Sequence, residues 1–495
     1  MLDVPHDLYT TEQTRELERL ACEEYSISSS ELMKRAGTSA LAALKYHWPR
    51  AESILVVCGT GNNGGDGFEL ARQATAGMYG VTVIQVGDKS KLTNIATAAR
   101  ESLLATGCKI QPFKDKLPTA DVIVDAIVGV GLNREPIGEY SAAIRAINLA
   151  KGTPVLSLDI PSGLGANTGM PFGNAVTATI CLNYLALNLG LFTGDGPNYA
   201  GEVHFDSLKI PSAVYKDLIP IARRITLEKD GALLAPRKRT SHKGHYGHLL
   251  VIGGNHGMSG AVSIAAEGGA RVGSGLTSIA TRTTHSSLMS LMRPELMSHG
   301  IEHPQDLKPL LSSANAFVLG PGLGQDTWAE GLYQKALDSN LPIVIDADAL
   351  NLLSKNPQYH SHWILTPHPG EAARLLNCSI AEVQSNRLNA VKKIQKKYGG
   401  VAVLKGSGTL INNGGDLTRL SSWGNPGMAS GGMGDILAGV IGGLLAQGFP
   451  LMDAACIGVA LHGMAGDKAA KQDGERGMLA MDLLPHLRHL ANLIF

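Results

Sequence analysis

The chain has 495 residues, too many for one small module, so two or three domains are expected. Its 43 Lys and Arg balance 43 Asp and Glu, which leaves no global positive field for a nucleic acid and no acidic surface for a basic partner. Charged residues are only 17% and glycines number 59, while aliphatic residues stay plentiful throughout, a composition that excludes disorder and suits a buried, loop-rich α/β enzyme.

Residues 1–7 carry neither the basic nor the apolar region of a secretory signal. Thr10 and Gln13 form a possible capping box, and helical spacing follows through Leu17, Leu20, Leu32, Ala36, Leu41 and Leu44. Apolar runs at 54–57, 81–84, 122–124 and 155–158 then alternate with helical patterns, as a parallel sheet buried on both faces requires. The first half is therefore predicted to be a doubly wound βα domain. Residues 210–243 are polar and marked by Pro211, Pro220 and Pro236, which reads as a linker with a boundary near 222, giving domains 1–222 and 223–495. A second βα series follows at 248–252, 316–319, 342–345, 363–365 and 401–404. Asn413-Gly414 predicts one hairpin after it. The long uncharged stretch 436–452 is too short and too glycine-rich to span a bilayer and reads as a buried helix. Six scattered cysteines without a CxxC pair read as reduced core residues, which points to the cytoplasm.

Three loops in the first half carry chemistry. The strand ending at Cys58 runs into Gly59-Thr60-Gly61-Asn62-Asn63-Gly64-Gly65-Asp66-Gly67, with the helical pattern taken up from Glu69. Gly59, Gly61 and Gly64 satisfy GxGxxG, which lets a backbone approach a pyrophosphate at a helix start. Asn62, Asn63 and Asp66 add side-chain oxygens that suit a hard cation or hydroxyl groups. The loops 125–134 and Asp159-Ile160-Pro161-Ser162-Gly163 fall at strand C-termini, where a doubly wound sheet places its ligands, although an Asp there also serves as a plain turn residue.

GTGNNGGDG, DAIVGVGL and DIPSG together, over most of residues 50–165, resemble the NAD(P)H-hydrate epimerase domain, which has a Rossmann-like fold. The resemblance implies a potassium ion near Asn63, Asp125 and Ser162. It implies substrate contacts from Asn62, Asn63, Gly64, Gly65 and Asp66 and from Gly129, Val130, Gly131, Leu132, Asn133, Arg134 and Glu135, with Asp159 against the damaged nicotinamide. Val130 stands where relatives often carry Thr.

In the second half the most informative motif is Gly424-Asn425-Pro426-Gly427-Met428-Ala429-Ser430-Gly431-Gly432-Met433-Gly434-Asp435, just before an apolar helical run. Its backbone N–H groups would form an anion hole at a helix start, with Asp435 at the rim as a base for an acceptor hydroxyl. A simple cap at Asp435 is the competing reading. No GxxxxGK[ST] occurs, and Lys405-Gly406-Ser407-Gly408-Thr409 offers a second phosphate-facing turn. His242, His245 and His248 lack partner ligands and are interleaved with glycines, which argues against zinc.

This half resembles the ADP-dependent NAD(P)H-hydrate dehydratase, with a ribokinase-like fold, over about residues 225–490. The resemblance implies AMP-moiety contacts at Lys405, Gly406, Ser407, Gly408, Thr409 and Gly434. It implies hydrated-nicotinamide contacts at Ala261, Gly324, His368 and Asp435, with Mg²⁺ as cofactor and ADP as co-substrate. The expected activity is bifunctional repair of NADHX and NADPHX, in which Asp159 serves epimerisation of the R and S forms and Asp435 serves dehydration of the S form, leaving AMP and phosphate. No nucleic-acid or membrane partner is expected, and a homo-oligomer is compatible with the reading. Two alternatives stay open: a ribokinase-like small-molecule kinase fused to a nucleotide-binding module, and a first domain that only binds.

Overall fold

The structure is a computed structural model that describes residues 4–77 and 79–493. Residues 1–3 of the segment read above for a signal lie outside the described residues. The chain divides into two compact units, Met1–Arg223 and Arg224–Phe495.

In the first unit the strands β1 (Ser53–Cys58), β2 (Gly80–Gln85), β3 (Ile110–Pro112), β4 (Val122–Ala126), β5 (Val155–Leu158), β6 (Ile180–Tyr184) and β7 (Glu202–Asp206) form one sheet in the order β3-β2-β1-β4-β5-β6-β7. Every pairing in it is parallel, so all strand C-termini share one edge. β1 and β4 are buried along nearly their whole length, which is why their sequences are continuous apolar runs. The helices α1 (Thr11–Tyr25), α2 (Ser29–His47), α3 (Asn62–Ala76), α4 (Asn94–Leu104) and α5 (Glu139–Leu149) accompany the sheet.

The Thr10 and Gln13 capping box is present: the Thr10 hydroxyl accepts from the Gln13 N–H at 3.1 Å and the Gln13 side chain accepts from the Thr10 N–H at 3.0 Å. The helical pattern read as one segment is two helices, separated where Ser26 turns left-handed at φ 56° and Ser28 caps α2. A larger difference lies at the first glycine loop. Asn62, Asn63, Gly64, Gly65 and Asp66 are not a loop; they are the first turns of α3. Glycine disfavours a helix on its own, but here close packing overrides propensity. A Cβ at Gly64 would lie 2.1 Å from the Gly59 carbonyl oxygen, so only glycine lets the helix start this near the strand end.

In the second unit β8 (His248–Ile252), β9 (Leu276–Thr281), β10 (Met297–Gly300), β11 (Ala316–Leu319), β12 (Ile343–Ile345), β13 (Trp363–Leu365), β14 (Val401–Leu404), β15 (Thr409–Asn412) and β16 (Thr418–Ser421) run in the order β16-β15-β14-β13-β12-β11-β8-β9-β10. The pairings from β10 to β14 are parallel, and β15 and β16 add antiparallel strands joined at Asn413-Gly414. The helices used below are α6 (Ser259–Arg271), α7 (Ala347–Lys355), α8 (Pro369–Leu376), α9 (Arg387–Tyr398), α10 (Met433–Ala446) and α11 (Leu451–Asp473). Of the stretch 436–452 read as one buried helix, α10 takes in only the part up to Ala446 and is buried over almost all of its length. The helix breaks off at 447–450 and α11 begins at Leu451, and no described helix is long and apolar enough to cross a membrane. Part of the stretch read as linker is packed: Ile225, Leu227 and Leu234 belong to the core of this unit, and Asp230 pairs with Arg419.

α6 and α10 approach through glycines. A Cβ at Gly439 would fall 1.8 Å from the Ala265 carbonyl oxygen and one at Gly443 would fall 2.6 Å from that of Gly269. This contact fixes where α10 begins, and hence where Asp435 stands. Gly439→Ala is expected to destabilise the unit by about 1–3 kcal/mol through backbone overlap, read as a lower denaturation midpoint in tryptophan fluorescence; an unchanged midpoint would show that the helices part without cost.

Candidate active site

Each unit gathers polar groups at the C-terminal edge of its parallel strands. In the first, residues after β1, β4 and β5 line a cavity of about 650 Å³, together with Arg15 and Glu18 of α1 and Met33 of α2. Because β1 neighbours β4 in the sheet although β2 and β3 lie between them in sequence, this is the crevice where strand order reverses.

Asp159, directly after β5, lines this crevice. Its backbone is left-handed at φ 66° and is held there: its N–H donates to the Leu182 carbonyl at 2.8 Å and its carbonyl accepts from the Asn183 amide at 2.7 Å. Its Oδ2 accepts the Val130 N–H at 2.8 Å, so the backbone of residue 130 does the work and a Val side chain suffices there. A Cβ at Gly129 would come within 2.3 Å of that same oxygen. Burial pushes the Asp159 carboxyl up to about 6; the Val130 N–H opposes the rise and the nearby Glu18 charge adds to it. Asp66, in the first turns of α3, is held well above the usual carboxylate range by burial and then by the charges of Asp159, Glu18 and Glu69. Asp66 and Asp159 thus line one cavity, and burial is the main cause that holds both carboxyls above the ordinary range.

Behind them Asp125 is fully buried and heavily hydrogen-bonded. Its carboxylate accepts from the Ser157 hydroxyl at 2.8 Å, the Ser162 N–H at 2.9 Å and the Ser162 hydroxyl at 2.6 Å. Burial raises its pKa and these bonds draw it back. Asn63 is buried next to Gly129, and neither atom of its side-chain amide has a hydrogen-bond partner. An orphaned buried amide is costly and signals a missing partner.

Of the other residues singled out from the sequence, Asn62, Gly129, Val130 and Gly131 line the cavity. Gly64 and Gly65 instead pack, against Gly59 and Met33. Leu132, Asn133, Arg134 and Glu135 are absent from the cavity wall, and Glu135 reaches toward Gly173. Sequence reasoning missed Arg15, Glu18, Tyr140 and Tyr184, whose positions come from folding alone.

In the second unit Asp346, Thr366, Lys405 and the 320–324 loop follow parallel strands and meet at one edge. The Lys405 ammonium donates to Asp346 Oδ1 at 2.9 Å and lies 4.0 Å from Glu371 Oε2, while the Thr366 hydroxyl donates to the same Asp346 oxygen at 2.8 Å. Burial works against the Lys405 charge, but Asp346, Glu371 and Asp435 raise its pKa on balance. Asp435 lies in the first turn of α10, whose start has no side-chain cap, and a Cβ on the preceding Gly434 would sit 3.1 Å from the Lys405 Nζ. Burial, then the Asp346 charge, push the Asp435 carboxyl up to about 7 although Lys405 pulls it down.

His368 accepts the Gly370 N–H at Nδ1 (2.9 Å), and its own N–H donates to Glu371, so the His-Pro-Gly-Glu element is a capping box that opens α8. Gly324 donates its N–H to Asp348 Oδ2 at 2.8 Å, and Ala261 of α6 lies beside Gly322. Asp346 and Asp348 belong to the run Asp346-Ala347-Asp348-Ala349-Leu350 and Glu371 to Thr366-Pro367-His368-Pro369-Gly370-Glu371, and only the fold brings these runs together around Lys405 and Asp435. Among the described residues no group of three His, Cys, Asp or Glu side chains is arranged to hold a metal ion.

Two family models match the chain: YjeF-related protein N-terminus over residues 29–190 and NAD(P)H-hydrate dehydratase over residues 249–488. A bifunctional NAD(P)H-hydrate repair enzyme of Coxiella burnetii is 49% identical over 98% of this chain and 99% of its own. The enzyme of that name from Escherichia coli is 42% identical over 99% of this chain and 95% of its own. Among solved structures, a hypothetical protein of Streptococcus mutans is 27% identical with a TM-score of 0.50, covering 54% of this chain and 97% of that one.

The Asp159 shift has a sign that can be checked. The folded chain keeps that proton to about pH 6 whereas an unfolded carboxyl releases it near 4, so the folded state binds more protons in that window and loses stability as pH rises through it. Asp159→Asn is therefore expected to be more stable than the parent by roughly 1–2 kcal/mol at about pH 8, a value reduced for partial exposure, and no more stable near pH 3.5. Denaturation at both pH values measures it; equal stability at the higher pH would show that the carboxylate is well solvated.

Proposed function

The chain belongs to the family of bifunctional NAD(P)H-hydrate repair enzymes, and on that premise we propose how its two sites divide the reaction. It carries an epimerase domain and a dehydratase domain. Membership sets aside the small-molecule kinase reading. The substrates are NADHX and NADPHX, dihydronicotinamides hydrated at C6, with ADP as co-substrate of the second site.

The observation that carries the dehydratase assignment is Asp435: a carboxyl held near neutrality, at an uncapped glycine-rich helix start, beside a lysine. Asp435 takes the proton of the C6 hydroxyl as that oxygen attacks the β-phosphorus of ADP. The bond to the bridging oxygen breaks and AMP leaves. Backbone N–H groups at residues 431–434 and the Lys405 ammonium face the transferring group. The ring nitrogen then expels C6-bound phosphate, and loss of the C5 proton restores the double bond. Hydrate and ADP thus give NAD(P)H, AMP, phosphate and a proton. Lys405, Gly406, Ser407, Gly408, Thr409 and Gly434 hold the AMP moiety, while Ala261, Gly324 and His368 hold the nicotinamide. Mg²⁺, when bound with the nucleotide, supplies positive charge to its phosphate oxygens, with Glu371 and Asp348 as the nearby carboxylates.

In the epimerase site Asp159 protonates the C6 hydroxyl, and the C6–O bond breaks as the ring-nitrogen lone pair forms a C=N⁺ bond to C6. The water released adds back to C6 from either face and returns its proton to Asp159. Asp66 stands in the same cavity, and Asn62, Gly129, Val130 and Gly131 position the dinucleotide. Asn63, Asp125 and Ser162 fit a potassium ion: the Asn63 amide oxygen is buried without a partner, and the Asp125 carboxylate and the Ser162 hydroxyl are the hard oxygen donors such an ion takes. Bound there, the ion supplies charge that offsets the buried Asp125. A reducing compartment, the cytoplasm, suits six cysteines that are all free.

A mixed-epimer NADH hydrate with ADP, Mg²⁺ and K⁺ tests the assignment. Recovery of both epimers as NADH is expected; recovery of the S fraction alone removes the epimerase role, and no recovery removes the dehydratase role. Asp435→Asn should slow dehydration by about 10²–10⁴-fold with ADP still bound. The parent rate should fall as pH drops below about 7, because protonated Asp435 cannot act as base. Gly129→Ala should slow epimer exchange about 10²-fold by displacing the Asp159 carboxylate, while dehydration of pure S epimer stays unchanged. Epimer ratios followed by chromatography decide the last point, and retained exchange would take Asp159 out of the reaction.

A further inference from the structure

We propose that Arg387 is a positioning residue for the nucleotide: its guanidinium, buried beneath the 405–408 turn, gathers the carbonyls of that turn inward and so shapes its outer face for the diphosphate of ADP. The inference deepens the dehydratase reading and rests on it.

The turn joins β14 to β15, whose pairing runs up to Leu404 and Leu410, so both of its ends are fixed by the sheet. Between those ends Arg387, the first residue of α9, is only 1% exposed. One of its terminal nitrogens is shared among the carbonyls of Leu404 (3.3 Å), Lys405 (3.2 Å) and Gly408 (3.4 Å), and the other donates to the Gln384 side chain at 2.7 Å. Gly406, at φ 130°, lies directly on the guanidinium: a Cβ there would stand 3.1 Å from both terminal nitrogens. Only a glycine lets the turn settle this deeply. On the far side the Lys405 N–H donates to the Pro367 carbonyl at 2.9 Å.

A cation is an expensive way to fill space, since an aliphatic side chain would pack the same volume without desolvating a charge. Burial draws the Arg387 pKa down only to about 10, so the charge persists at neutral pH. Two consequences favour a phosphate. Carbonyl dipoles collected on the guanidinium turn their negative ends away from an incoming anion, and the charge beneath the turn adds positive potential in a medium of low dielectric. Arg387 touches no substrate; it acts through the turn.

The test compares Arg387→Met and Arg387→Lys in the full-length chain. Calorimetry gives the Kd for ADP, and steady-state kinetics give kcat and the KM values for ADP and for S-epimer hydrate; epimer exchange in the same preparation monitors the other unit. In Arg387→Met the Kd and KM for ADP should rise about tenfold or more, with kcat and the hydrate KM within about threefold of the parent. Arg387→Lys, which keeps the charge but cannot bridge the carbonyls, should show an intermediate rise. An unchanged ADP Kd in either folded variant overturns the proposal, as does a loss that falls equally on kcat and both KM values. Should Arg387→Met fail to fold, Arg387→Lys decides by the same criteria. Absence of ADP-driven recovery in the parent chain would defeat the dehydratase reading, whereas the ADP Kd of parent and variant would still decide the role of Arg387.

Discussion

A carboxyl group taken out of water resists losing its proton, and each half of this chain buries such a group at the C-terminal edge of its parallel strands. Asp435 and Asp159 are pushed up to about 7 and about 6 by the same cause, burial, reinforced at Asp435 by Asp346, Asp348 and Glu371 and at Asp159 by Glu18. What differs is the counter-charge. In the dehydratase domain Lys405, clamped on Asp346 and close to Glu371, keeps the cluster from becoming a site of pure repulsion. In the epimerase domain Arg15 lines the cavity but is not among the charges that act on Asp159, and a backbone N–H from Val130 steadies that carboxylate instead.

The surrounding architecture serves that placement. Parallel strands deliver their C-termini to one edge, so residues far apart in sequence meet without long loops. Glycines then close the remaining distance. Gly64 brings the start of α3 against the Gly59 carbonyl, Gly129 makes room for the Asp159 carboxylate, and Gly439 seats α10 on α6 so that Asp435 faces Lys405. Each is a place where one methyl group would move a reacting atom, which explains why so much glycine coexists with so large a core.

Much of this was legible in the sequence because burial on both faces writes continuous apolar runs, as in residues 54–57 and 401–404. Among the strands overlooked, β3 contains Pro112, β10 reads Met-Ser-His-Gly and β7 is only partly buried, while β6 and β9 are buried but interrupt their apolar residues with Asn183 and with Thr277 and Ser278. The helical start of α3 was hidden because its asparagines and glycines are poor helix formers that packing overrides. The partly packed linker was hidden by its prolines and arginines, although Ile225 and Leu227 carried the signal. Site motifs were visible as glycine clusters beside Asp, yet the Lys405–Asp346 pair and the guanidinium under the 405–408 turn join elements distant in sequence and leave no local pattern.

The claim on which the chemistry turns is that Asp435 titrates near neutrality. Carbon-13 labelling of aspartate, with Asp435→Asn to assign its carboxyl signal, reads this directly in the full chain. The account requires a midpoint near 7 for that signal. A midpoint near 4, the ordinary value for a solvated aspartate, would contradict it and leave Asp435 as an anion without a base's affinity for the hydroxyl proton.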